Sequence, residues 1–210
     1  EDYEPALLGT IGDWLPASGR VAVWVCGMAG ARQGWREAAY LPVPTRLDDL
    51  AQGAVMPTVS DTRLDVRLLP GLCQYADVAG CDFDVMRGEE TQLAGLVARE
   101  PGFSGLVCLP GTHAKWAWLE RGEVKRFATY LTGELYGLLA SQSVLRHSVA
   151  DAGLTEPGCR EAFVAAVREA AAEPGRFSQA LFGLRAADLL NDTLPAGEAR
   201  RARLGASSKR

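Results

Sequence analysis

The chain has 210 residues, of which 48% are hydrophobic and 23% charged, and 22 basic side chains against 26 acidic ones give a net charge of -4. That balance provides enough apolar surface for a folded core and excludes a disordered chain, while the slight acidity argues against a nucleic-acid-binding face as the main purpose. No apolar run reaches the roughly 18 residues that span a bilayer, and the acidic start EDYEPALLGT lacks a basic region followed by an apolar stretch, so the protein reads as cytoplasmic, with neither a membrane nor a nucleic-acid partner.

The first element is Arg20 to Cys26, RVAVWVC, an unbroken apolar run that suits a strand buried on both faces of a parallel sheet. It ends in the small-residue turn GMAGARQG. Pro42, Pro44 and Pro57 punctuate residues 36–62, which read as loop with short extended pieces. Asp65 to Leu69 gives a second strand, closed by Pro70-Gly71. Glu89 to Arg99 then predicts a helix, with Leu93, Leu96 and Val97 at helical spacing and two carboxylates in the first turn, where the helix dipole favours them. Pro101-Gly102 breaks it.

Gly105 to Leu109 is again a fully apolar strand, running into Pro110-Gly111-Thr112. Lys115 to Leu119 and Val124 to Tyr130 predict a hairpin around Gly122, and Thr132-Gly133-Glu134 opens a helix through Ala140. The remainder reads as helical, with one apolar stripe of Phe163, Val164, Val167, Ala170 and Ala171 and another of Phe177, Ala180, Leu181, Leu184 and Leu190. The order suggests two α/β halves meeting near residue 103. The basic cluster of Arg200, Arg201, Arg203, Lys209 and Arg210 reads as a solvated tail. Cys26, Cys73, Cys81, Cys108 and Cys159 are scattered and form no CxxC pair, so they read as reduced, mostly buried thiols; two distant histidines offer no zinc site.

Three turns carry candidate chemistry at strand ends, where open α/β sheets bind ligands. In LPGTHAKW, residues 109–116, a glycine turn lets backbone N–H groups approach an anion, Thr112 adds a hydroxyl, and His113 and Lys115 add charge; a structural turn explains the same spelling. In DVMRGEETQ, residues 84–92, Arg87, Glu89 and Glu90 are either ordinary helix-start charges or a carboxylate at a cleft that takes a proton from a substrate hydroxyl. In GMAGARQGW, residues 27–35, neither the P-loop ending nor the dinucleotide spacing is present, and Trp35 and the nearby Tyr40 are either core or the wall of a sugar site.

Taken together, GMAGARQGWREAAYLPVP (27–44), LPGLCQ (69–74), DVMRGEETQLAG (84–95), LPGTHAKWAW (109–118) and FATYLTGELYGLL (127–139) resemble the 2-dehydro-3-deoxygalactonokinase family, sugar-acid kinases of the actin-like/hexokinase ATPase superfamily. The resemblance implies a two-domain ribonuclease-H-like α/β fold, with residues 1–103 in a sugar-acid-binding domain and 104–210 in a nucleotide-binding domain. It also implies ATP and Mg²⁺, phosphorylation of 2-dehydro-3-deoxy-D-galactonate at its terminal hydroxyl, Glu89 or Glu90 as base, Arg32, Trp35 and Arg87 on the sugar acid, and Gly111, Thr112 and Lys115 on the nucleotide phosphates.

Two parts of the family pattern are not found. No phosphate-binding hairpin with an aspartate before glycine and Ser/Thr precedes Arg20, and after Arg203 the polar LGASSKR stands where an adenosine-binding segment and closing helix are expected. The chain thus reads as the middle of an enzyme. Unpaired apolar strands then make it prone to instability or homo-oligomer formation. The alternative function is a truncated, non-catalytic fragment with residual sugar-acid or partner binding.

Overall fold

In the computed structural model, residues 3–76, 82–149 and 159–190 are described. The chain divides into two compact units, one formed by Glu1–Leu109 with Lys115–Thr129, the other by Pro110–Ala114 with Tyr130–Arg210. The observed boundaries therefore differ from the expected one near residue 103. The strand and hairpin after Pro101-Gly102 share their core with the preceding helix and so belong to the first unit.

The first unit opens with α1 (Tyr3–Ile11), strand β1 (Val21–Val25) and strand β4 (Leu64–Leu68). β1 and β4 pair in parallel, Val21 opposite Leu64 and Val25 opposite Leu68. Leu64, Val66 and Leu68 alternate inward and, with Ala38, form a core that Leu7, Leu8 and Ile11 of α1 cover. β1 was expected to be buried on both faces. Instead Ala22 and Trp24 face outward, because this sheet has two strands and only one of its faces packs on that core.

Two further sheets complete the unit. Strands β2 (Tyr40–Pro42), β5 (Gly71–Gln74) and β6 (Asp84–Met86) run in the order β2-β5-β6, with β5 wholly buried in the middle. Strands β3 (Thr45–Arg46), β7 (Gly105–Leu109), β8 (Ala114–Glu120) and β9 (Glu123–Tyr130) run in the order β3-β9-β8-β7. Helix α2 (Glu89–Arg99) places Leu93, fully buried, in one core with Leu72, Met86, Ala117, Leu119, Val124 and Phe127. Side-chain bonds tie the sheets together: Gln74 accepts from the Phe127 N–H at 2.9 Å, and Asp84 accepts from the Thr129 N–H and hydroxyl at 2.6 Å each.

β7 occupies an edge, so its apolar residues are not all covered: Leu106 is 48% exposed and Cys108 is also exposed. The expectation of mostly buried thiols is corrected accordingly. Cys73 and Cys159 are buried, Cys26 and Cys108 are exposed, and all four are free; Cys81 lies outside the described residues.

The second unit contains α3 (Thr132–Ser141), α4 (Cys159–Ala172) and α5 (Phe177–Leu190). Leu145 and Val149 are buried against Tyr136, Leu139 and Ala140 of α3 and Leu181 and Leu184 of α5. The Arg185 guanidinium donates to the Ser148 hydroxyl and to Asp188, each at 3.0 Å. The expected stripe on α4 is mostly not buried. Val164 and Val167 of the stripe are exposed, and the buried residues of the helix, Cys159 and Ala166, are not part of it. The basic cluster and LGASSKR at the end of the sequence lie outside the described residues, among which no helix is long and apolar enough to cross a membrane.

Leu93 links helix and hairpin, so Leu93→Ala should lower unfolding free energy by about 2–5 kcal/mol, while the exposed Gln92→Ala stays within about 0.5 kcal/mol. Urea unfolding of the two variants beside the parent protein measures the difference.

Candidate active site

The start of α2 separates two adjacent carboxylates. Gly88 precedes the helix at φ 112, a left-handed conformation that favours glycine, and this sharp entry turns its N–H onto the Glu90 side chain. Glu90 accepts from that N–H at 2.8 and 2.6 Å and from the Thr91 hydroxyl at 3.3 Å, and it is fully buried. Burial pushes the Glu90 carboxyl above its ordinary value, with hydrogen bonds from its own N–H and that of Gly88 opposing the shift.

Glu89 is arranged differently. Its Oε2 accepts from the Arg87 N–H at 3.1 Å, its Oε1 lies 3.3 Å from Lys115 Nζ, and the side chain keeps 25% of its surface exposed. Of the two expected bases, Glu89 alone is open to a substrate hydroxyl. Lys115 was expected on the nucleotide phosphates, but it is buried in the first unit at 4% exposure. On β8 the odd positions Lys115, Ala117 and Leu119 all face the core, and a lysine held there is paired with a carboxylate.

The turn after β1 folds back beside Arg87. Ala38 N–H donates to the Gly30 carbonyl at 3.0 Å, and Gly30 passes so close to Arg87 that a Cβ there would lie 3.0 Å from its Nη1. The Arg87 guanidinium stacks over Tyr40, 4.2 Å from the ring centroid, and donates to the Ala38 carbonyl at 2.8 Å. Its Nη1 is buried without a partner among the described residues. Trp35, half-buried, stacks on Tyr3 with ring centroids 5.9 Å apart and packs against the core beneath α1. Arg32 is exposed on the same loop.

In the second unit, the Gly111-Thr112 turn is seated on the N-terminus of α3. The Thr132 hydroxyl donates to the Gly111 carbonyl at 3.0 Å, and the N–H groups of Gly133 and Glu134 donate to the carbonyls of Gly111 and Thr112 at 3.3 and 3.1 Å. Gly133 permits this seating, because a Cβ there would lie 2.9 Å from the Gly111 carbonyl oxygen. Gly111 itself has neither a positive φ nor any atom within 4 Å of a built Cβ, so nothing in the described fold demands glycine at that point. The space above the backbone there is open. His113 pairs with Glu134 beside it.

The chain belongs to the 2-keto-3-deoxy-galactonokinase family, whose sequence profile matches residues 1–205. A Rhizobium meliloti protein named as a probable 2-dehydro-3-deoxygalactonokinase is 42% identical over 182 residues, covering 87% of this chain and 58% of its own length. The 2-dehydro-3-deoxygalactonokinase of Escherichia coli is 37% identical over 184 residues, covering 87% of this chain and 56% of its own. The crystal structure of a candidate 2-dehydro-3-deoxygalactonokinase from Sinorhizobium meliloti superposes with a TM-score of 0.84 at 38% identity, over 98% of this chain and 65% of that one. The chain thus spans under three-fifths of the length of these two curated relatives.

The pairing of Lys115 with Glu89 escaped sequence reasoning, since the partners are far apart in the chain. The alternation in AKWAWLE nevertheless places Lys115 in phase with Ala117 and Leu119 and could have revealed an inward-facing lysine.

The raised Glu90 value has a stability consequence. The folded state holds this proton more tightly than the unfolded chain, whose ordinary value is 4.5, so the group's contribution is complete below that pH and is lost as pH rises through the folded value. Urea unfolding followed upward from pH 4.5 should show stability falling in the parent and a flatter profile in Glu90→Gln. Equal slopes in the two proteins would contradict this account of Glu90.

Proposed function

We propose that this protein acts in the ATP-dependent phosphorylation of 2-dehydro-3-deoxy-D-galactonate to its 6-phosphate, within an actin-like ATPase fold of which the two units form part. Family membership supports the reading, and so do the relatives' names. The observation in this chain that carries it is the open Gly111-Thr112 turn, where a glycine stands with no demand from packing or backbone.

In this reading the first unit serves the acceptor. Arg87, oriented by Tyr40 and Ala38, and the exposed Arg32 suit the sugar-acid carboxylate, with Trp35 as a wall of the same loop. Glu89 takes the proton of the terminal hydroxyl as that oxygen attacks the γ-phosphorus and ADP leaves; Glu90 is the second candidate, disfavoured by its full burial. The second unit serves the nucleotide, with Gly111 and the Thr112 hydroxyl on its phosphates. No cluster of three or more His, Cys, Asp or Glu suited to a metal occurs among the described residues, so Mg²⁺ enters this reading as part of the nucleotide complex, where it neutralises phosphate charge.

A second reading, partner binding without transfer, is favoured by the exposed apolar edge at Leu106 and Cys108, which suits association. Gel filtration beside a turnover assay distinguishes the two. An associated species that releases no ADP supports the second.

With ATP and 2-dehydro-3-deoxygalactonate, Glu89→Gln should lower kcat by about 10²–10⁴-fold and leave the sugar-acid KM within a few-fold. Unchanged kcat in Glu89→Gln with loss in Glu90→Gln would move the base by one residue. Gly111→Val should weaken ATP binding in calorimetry while sugar-acid binding survives, because the added side chain fills the open space above the turn. Unchanged ATP affinity in the folded variant would make the turn structural.

A further inference from the structure

Lys115 is an unusual residue to find inside the first unit. It sits at an inward-facing position of β8, is 4% exposed, and lies 3.3 Å from Glu89 Oε1. Burying an ammonium group is costly unless it is paired, so this position selects strongly for a carboxylate partner. An apolar residue in phase with Ala117 and Leu119 would fill the same place at lower cost. A buried lysine at this position calls for a role besides packing.

The geometry at Glu89 supplies one. The Lys115 ammonium lies 3.3 Å from Oε1 as an ion pair, and the Arg87 N–H donates to Oε2 at 3.1 Å, so each oxygen of the carboxylate is held from one side. A carboxylate has about four acceptor positions, so a substrate hydroxyl can still bond to an oxygen that is already anchored. Glu90 contributes from the other side by binding the Gly88 N–H and fixing the entry of the helix that carries both groups.

We propose that Lys115 is a positioning residue for the transfer reaction, which fixes the orientation of the Glu89 carboxylate rather than contacting nucleotide phosphates. This rests on the reading of Glu89 as the base. It is a claim about orientation, and an orientational error of about 1 Å costs roughly 10²-fold in rate.

The test compares Lys115→Met, Lys115→Arg, Glu89→Gln and the double variant Lys115→Met/Glu89→Gln by steady-state kinetics. Lys115→Met should lower kcat by about 10–100-fold with the ATP KM unchanged, and Lys115→Arg should recover most of the loss. In the Glu89→Gln background, Lys115→Met should cause no further loss. A raised ATP KM with kcat preserved would make Lys115 a phosphate ligand and overturn the proposal, as would a second full loss in the double variant. If Lys115→Met fails to fold, Lys115→Gln, which keeps a donor without the charge, takes its place under the same criteria. If Glu89→Gln retains full kcat, the reading of the base fails, and the pair is then decided separately by unfolding the same variants in urea. Non-additive shifts of the midpoint uphold the orienting contact, and additive shifts overturn it.

Discussion

The candidate site depends on one shared buried face, that between helix α2 and strand β8. Leu93 lies in the same buried core as Ala117 and Leu119, and this shared core seats the helix on the hairpin. One turn before Leu93 on the same helical face stands Glu89; one step before Ala117 on the same strand face stands Lys115. Packing the apolar members of the two faces therefore brings the charged members together, and their 3.3 Å ion pair continues the core in polar form. Hydrophobic burial supplies the driving force, and the position of the candidate base follows from it.

The two adjacent glutamates show how local geometry divides like residues. Successive positions on a helix face different ways, so Glu90 turns back into the protein onto the Gly88 N–H while Glu89 keeps a quarter of its surface open. Burial holds Glu90 toward its protonated form, whereas Glu89 accepts from the Arg87 N–H, pairs with Lys115 and stays partly exposed. The glycines divide in a similar way. Gly133 is required by its close approach to Gly111, while Gly111 faces open space.

The features legible in the sequence were those with local causes. Helix α2 was marked by its acidic first turn and by Leu93, the hairpin by its turn around Gly122, and β7 by an unbroken apolar run, and each appears within a residue or two of its expected bounds. What was missed depends on distant partners. Helix α1 carries a proline, and it is held by Leu7, Leu8 and Ile11 on the core, by the Tyr3 stack on Trp35 and by Glu4 bonding to the N–H groups of Ser60 and Asp61. Strands β5 and β6 are short and defined by their pairing with each other. The exposure of β1 and β7 was not readable either, since an apolar run looks the same at the middle of a sheet and at its edge. Among the candidate site residues, Arg87, Glu89 and Glu90 share one sequence motif, whereas the partner of Lys115 is set by tertiary packing.

The most direct measurement of the central claim is a backbone ¹H–¹⁵N NMR titration of the protein, first with 2-dehydro-3-deoxygalactonate and then with ATP. The account predicts that the sugar acid shifts resonances of Arg87, Gly88, Glu89 and the loop around Arg32, and that ATP shifts those of Gly111 and Thr112. Sugar-acid shifts confined to other parts of the chain, or none at saturating concentration, would contradict it.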